Sequence, residues 1–190
     1  MKFRISPLVL ILLAVLVFSA CTGATSGVLT TKETAQLENL YGQDRDAVFR
    51  ELGIKEQDVE TALNENTYLS LAKTRTIGNL RYQRRLAFNL PSAFAGEDLV
   101  YVGEPGSASD PEVLKGLKAL YDGAVKQYGE PDNDPDVVRT HLSELLEEQP
   151  QKIRQSYDSW NLSDKTVLTL SVMEAEDRAL IEVQYRQAVK

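Results

Sequence analysis

The hydrophobic positions of this chain change their spacing several times, and each change marks an element. Leu8 to Ala20 is a run of thirteen residues, apolar apart from Ser19, that follows Lys2 and Arg4. Thr22 to Thr30 is small and polar without periodicity, the pattern of a tether. From Thr31 the spacing is helical. Leu37, Leu40 and Tyr41 share one face, and after Gly42 a second segment starts at Asp44, a good cap, with Val48 and Leu52 four apart and Gly53 as its stop. Ile54 to Leu63 predicts a further turn or short helix around Val59 and Leu63. Alternation then takes over: Tyr68 to Ile77 and Leu80 to Leu90 predict two strands joined by the turn Gly78-Asn79. In the second, Leu80, Tyr82, Leu86, Phe88 and Leu90 form an apolar face broken by Arg84. Pro91 to Asp98 reads as a loop and Leu99 to Val102 as a third short strand.

The best helical signal follows. Asp110 caps it, Pro111 is its first residue, and Val113, Leu117, Leu120, Tyr121, Ala124 and Tyr128 lie on one stripe closed by Gly129. Asp134-Pro135 repeats that start and predicts a helix with Val138, Leu142, Leu145 and Leu146 buried, ending before Pro150. Ser156–Trp160, Thr166–Met173 and Ala179–Tyr185 are β-rich, the last two joined by an acidic turn. Helices, three strands, helices, three strands: this order predicts an α+β domain with one antiparallel sheet of about five or six strands and helices on one face, built as two helix-then-meander halves. The layout is similar to that of small envelope lipoproteins of the SmpA/BamE type and of the β-lactamase-inhibitor-protein family, a resemblance that implies protein binding.

The start of the chain has a charged end, an apolar middle and small residues before a cleavage point, which is the layout of a signal peptide over residues 1–20. Its apolar run is shorter than the roughly 20 residues of a membrane-spanning helix. Phe18-Ser19-Ala20-Cys21 resembles the bacterial lipobox, departing from it at Phe18, where a small aliphatic residue, usually leucine, stands. The resemblance implies a diacylglyceryl group on Cys21, a cut before it, and a tether over residues 21–30 that holds a single domain, 31–190, at a cell membrane or outer membrane on its extracytoplasmic side. A chain with one cysteine has no internal disulfide, and the 170 residues left after cleavage of the 190 are enough for a real core.

Charge sharpens the picture. The cleaved chain carries 19 basic and 28 acidic residues, a net −9, which argues against a nucleic-acid partner. Yet no acidic residue stands between Glu65 and Glu97, a stretch that holds Lys73, Arg75, Arg81, Arg84 and Arg85. Arg81 and Arg85 point away from the apolar side of their strand, and the neighbouring strand adds Lys73 and Arg75 if it pairs there. Lys73, Arg75, Arg81 and Arg85 are therefore the expected binding surface, for an acidic envelope protein, anionic lipid or wall polymer.

Catalytic chemistry finds little support. Cys21 is committed to lipid, and His141, the single histidine, falls in helical register with Val137, Val138 and Leu145, as a helix-surface or core-edge residue would. No Gly-x-Ser-x-Gly elbow occurs, and Gly103-Glu104-Pro105-Gly106 lacks the lysine of a phosphate loop. Asp132, Asp134 and Asp136 alternate as in a calcium loop, but Val137 stands at the glycine position and Ser143 at the twelfth. Glu144 with Glu147 or Glu148 reads as solvated helix surface. No metal or cofactor is expected. The sequence thus predicts a non-catalytic binding module. The alternative is a small-ligand or hydrolytic lipoprotein with a pocket between sheet and helices lined by Tyr82, Tyr101, Tyr157 and Trp160.

Overall fold

The computed structural model describes residues 28–63, 67–89, 91–132, 140–147 and 151–189. The stretch expected to be a signal peptide, Cys21 and most of the acidic loop lie outside them. The α+β class is as expected. The described elements run α1 (Thr31–Leu40), α2 (Arg45–Leu52), a 3-10 turn at Glu56–Asp58, β1 (Val59–Leu63), β2 (Tyr68–Ile77), β3 (Leu80–Asn89), β4 (Ala93–Val102), a second 3-10 turn at Ser107–Ser109, α3 (Pro111–Tyr128), α4 (Leu142–Glu147), β5 (Ser156–Asn161), β6 (Thr166–Ala175) and β7 (Arg178–Gln187). All seven strands join in one sheet of order β1-β2-β3-β4-β7-β6-β5, every pair antiparallel.

Two adjacent rows across the sheet show how the sequence separates its faces. Ala62, Leu69, Leu86, Glu97, Tyr185, Leu168 and Trp160 are successive cross-strand partners, apolar or aromatic except for Glu97. The next row is Thr61, Ser70, Arg85, Asp98, Gln184, Thr169 and Ser159, polar throughout. Side chains alternate between faces, so the first row lies against the helices and the second on the uncovered side. α3 lays Val113, Leu117, Leu120, Tyr121 and Ala124 on the apolar face. Burial of each leucine there contributes about 1.5–3 kcal/mol. The caps are those expected: the Asp44 side chain accepts from Ala47 N–H, Gly53 ends α2 in a left-handed conformation, and Asp110 accepts from Glu112 N–H ahead of Pro111.

Four expectations change. Ile54–Leu63 is a 3-10 turn followed by an edge strand, because Val59 and its neighbours pair with β2 rather than continue a helix. Pro91–Asp98 is mostly strand: β4 starts at Ala93, and its Glu97 and Asp98 occupy regular positions opposite Leu86 and Arg85. The first meander therefore has four strands. Thr140 and His141 are not helical and α4 covers only Leu142–Glu147; the start expected at Asp134 lies outside the described residues. Finally, the core reaches back into the stretch read as tether, with Val28 and Leu29 1 % and 2 % exposed.

The outer edge of β5 is covered by its own chain. Asp132 N–H donates to Ser159 O, Asn161 N–H to Asp132 Oδ2, and Tyr157 N–H to Thr140 O. At the centre, Gly96 has φ of 153°, and a Cβ there would stand 1.9 Å from the Tyr185 carbonyl oxygen. Gly96→Ala is expected to cost about 3 kcal/mol or more and lower the melting temperature by about 10 °C. Gly123→Ala, where an added Cβ meets nothing within 4 Å, should be neutral or mildly stabilising in the same circular-dichroism melt.

Candidate functional site

The basic stretch divides between the two faces of the sheet. The β2–β3 register slips between Ser70 and Thr74, so that three β2 residues bulge opposite Arg84. Past the bulge, Arg75 faces Tyr82 on the helix side, while Thr74 and Thr76 face Gln83 and Arg81 on the open side. Lys73, in the bulge, lines the same helix-side cleft as Arg75. The structure therefore brings Lys73 to Arg75 and leaves Arg81 and Arg85 on the other face.

The cleft has a volume of about 340 Å³ and lies between α1 and the β2–β3 hairpin, a size within the range of small-ligand sites. Its charged lining is Glu33, Lys73, Arg75, Arg84 and Glu97, three cations against two carboxylates. Arg84, the defect on the apolar face of β3, is held by two parallel bonds to Glu97, Nε to Oε1 at 2.7 Å and Nη2 to Oε2 at 3.0 Å. The Glu97 side chain is 3 % exposed. Burial works against the Arg84 charge, and the Glu97 bonds outweigh it. Arg75 Nη1 donates to Glu33 Oε1 at 3.0 Å, and the Thr30 N–H donates to Glu33 Oε2 at 2.7 Å. Burial pushes the Glu33 carboxyl up, but its bonds from Thr30 and Arg75 hold it below the usual range.

Each carboxylate oxygen in this cleft thus already accepts a bond from the chain itself. The cations are less committed. Lys73 has no acidic partner among the described residues, Arg75 uses one of its nitrogens, and Arg84 keeps Nη1. What remains on offer is donor in character, which suits an anionic group. Sequence reasoning missed Glu33 and Glu97. Arg84 on an apolar strand face was the one signal of a buried carboxylate, and Glu97 supplies it from the diagonal position on β4.

The open face is balanced rather than basic. Arg81 donates through Nε to Thr74 Oγ1 at 2.7 Å, Gln83 donates to Glu60 at 2.8 Å, and Arg186 Nη2 holds Asp98 Oδ2 at 2.5 Å. Arg81, Arg85 and Arg186 there face Glu60, Asp98 and Glu182. Arg186 passes over Gly96, which has no side chain to block it, with its guanidinium 5.9 Å from the Tyr68 ring. The Asp98 side chain is 5 % exposed, and burial pushes its carboxyl up to about 6 against the pull of Arg186. Asp98 Oδ1, Arg85 Nε and Arg186 Nη1 are buried without a hydrogen-bond partner among the described residues.

His141 stands just before α4, with Nδ1 2.8 Å from Oδ1 of the fully buried Asp158, whose Oδ2 accepts from Leu142 N–H. The pair fixes the start of α4, and no hydroxyl or thiol among the described residues is hydrogen-bonded to the ring. The four aromatics considered as a pocket do not gather. Tyr82 and Tyr101 are neighbours at 6.0 Å, Trp160 is in the core with Tyr121 and donates to Gly129 O, and Tyr157 lies on the open face opposite Ser171. Among the described residues no cluster of His, Cys, Asp or Glu could hold a metal ion, and no helix is long and apolar enough to cross a membrane. Compared with protein-family models, with curated proteins and with solved structures, the chain matches none.

Asp98 gives a pH prediction of definite sign. Its folded pKa of about 6 lies above the ordinary 3.8, so the native state binds more protons than the unfolded state between about pH 4 and 6, and this group's contribution to stability falls as pH rises through that window. Asp98→Asn, which does not titrate, should gain on the wild type by roughly 2 kcal/mol over the same interval, read from urea unfolding at each pH.

Proposed function

We propose that this chain is a lipid-anchored, extracytoplasmic, non-catalytic binding module that holds an anionic ligand in the cleft between α1 and the β2–β3 hairpin. The observation that carries the reading is the donor capacity left in that cleft, set within a strongly acidic molecule. Lys73 and Arg75 form the mouth and wall, and Arg84, locked by Glu97, presents a fixed positive group from the floor. An anion entering here finds charge-assisted donors on a rigid sheet, while the acidic remainder of the surface repels it elsewhere.

The anchor fits this placement. The described fold begins at Val28, seven residues after Cys21, so a flexible connection between them would reach on the order of 15 Å. The domain would then stay close to the membrane surface. The open face is the weaker candidate, because its three arginines are matched by three carboxylates.

Calorimetric titration of the mature lipoprotein in detergent with polyvalent anions, phosphate and citrate first, tests the reading. Saturable binding is expected, weakened at least tenfold by Lys73→Glu, with little change in melting temperature because Lys73 is exposed. Equal affinity in the variant would show that the ligand lies elsewhere.

A further inference from the structure

One wall of the cleft is formed by the chain just before α1. Leu29 lines the cleft and is held at three points: its N–H donates to the Tyr185 hydroxyl at 2.8 Å, and its carbonyl accepts from the Tyr128 hydroxyl and from Gln127 Nε2, both at 2.6 Å. One residue on, Thr30 and Glu33 cap α1 reciprocally. Thr30 N–H donates to Glu33 Oε2, and Glu33 N–H donates to the Thr30 hydroxyl. The other oxygen of Glu33 accepts from Arg75. A continuous line of bonds therefore joins the segment leading to Cys21, through Thr30 and Glu33, to a cation of the cleft.

We infer that Val28 to Thr30 form a strap whose docking lowers the anion affinity of the cleft, with Glu33 as the positioning residue that transmits its state. This rests on the anion-binding function proposed above. With the strap docked, Glu33 is oriented by Thr30 and lies against Arg75, so an incoming anion shares that guanidinium with a carboxylate. When the strap is drawn out, Glu33 loses the Thr30 N–H, the first turn of α1 loses its cap, and Arg75 is released toward the ligand. Linkage requires the converse: an anion bound to Arg75 competes with Glu33 and loosens the strap.

Tyr128→Phe with Gln127→Ala removes both donors to the Leu29 carbonyl and leaves the charged lining of the cleft intact. With inorganic phosphate as the probe on the mature lipoprotein, this double variant should bind several-fold tighter than wild type, and a nonspecific protease should cut beside Leu29 faster. Phosphate should speed that cut in wild type. Tyr185→Phe, which removes the acceptor of the Leu29 N–H, should also tighten binding and is the independent reading if the double variant does not fold. Glu33→Gln should raise affinity by a similar factor, and adding it to the double variant should bring no further gain. Unchanged affinity in the strap variants, or a Glu33→Gln gain that multiplies theirs, overturns the strap and leaves the anion site standing. Failure of any anion to bind the wild type overturns the proposed function, and the strap falls with it.

Discussion

β4 and β7 pair antiparallel across the middle of the sheet, and both halves of the molecule depend on that seam. β1 to β4 form one meander and β5 to β7 another, each preceded by its own helices. Seven cross-strand pairs, from Gly96 with Arg186 to Val102 with Leu180, make them one sheet. Because the last strand of each half meets the last strand of the other, the halves are related by an approximate two-fold rotation normal to the sheet, which puts both sets of helices on the same face. The seam also assembles the cleft. Glu97 on β4 holds Arg84, its neighbour Tyr185 on β7 holds Leu29, and a missing side chain at Gly96 lets the two strands approach.

The pair of Arg84 and Glu97 is not explained by stability. Taking two charges out of water costs several kcal/mol per ion, and well-packed hydrophobic replacements of buried pairs are often neutral or stabilising by about 1–4 kcal/mol. A leucine at position 84 would continue the apolar face of β3 without that cost. What the ion pair supplies is a positive group fixed in direction on the floor of a cleft, with its carboxylate partner fully engaged. Such a group suits the anion binding proposed for the cleft, where rigidity of the donor matters more than the energy of the pair.

Much of this architecture was legible in the chain. The α3 stripe between Pro111 and Gly129, the alternation of β3 and the three β-rich runs after Ser156 follow from periods of 3.6 and 2 that no other arrangement satisfies. β4 was hidden because Ala93, Ala95 and Gly96 are small and Glu97 and Asp98 are charged, so the segment lacks the apolar alternation of a central strand; its partners on both sides, not its own composition, make it one. β1 was hidden because an edge strand of five residues needs no apolar face. The division of the basic stretch was legible in the same alternation: Leu69, Leu71 and Ile77 are buried on one side of β2, and Lys73 and Arg75 fall in their phase, because the bulge between Ser70 and Thr74 adds two residues and leaves that phase unchanged. What was illegible is the depth of the cleft there, which the bulge sets through pairing across strands.

The two adjacent carboxylates of β4 have a consequence for how the molecule is made. β7 is the last strand to be synthesised, about eighty residues after β4, so until it emerges β4 waits with one side unpaired. A central strand in that state is a template for the wrong partner, in this chain or in another copy. Glu97 and Asp98 make it a poor one, since a second acidic strand is repelled and an apolar strand would have to bury both charges. Only neighbours that bring Arg84 and Arg186 to those positions relieve the repulsion, so the charges that obscure β4 in the sequence also select its correct mates while the chain is still incomplete.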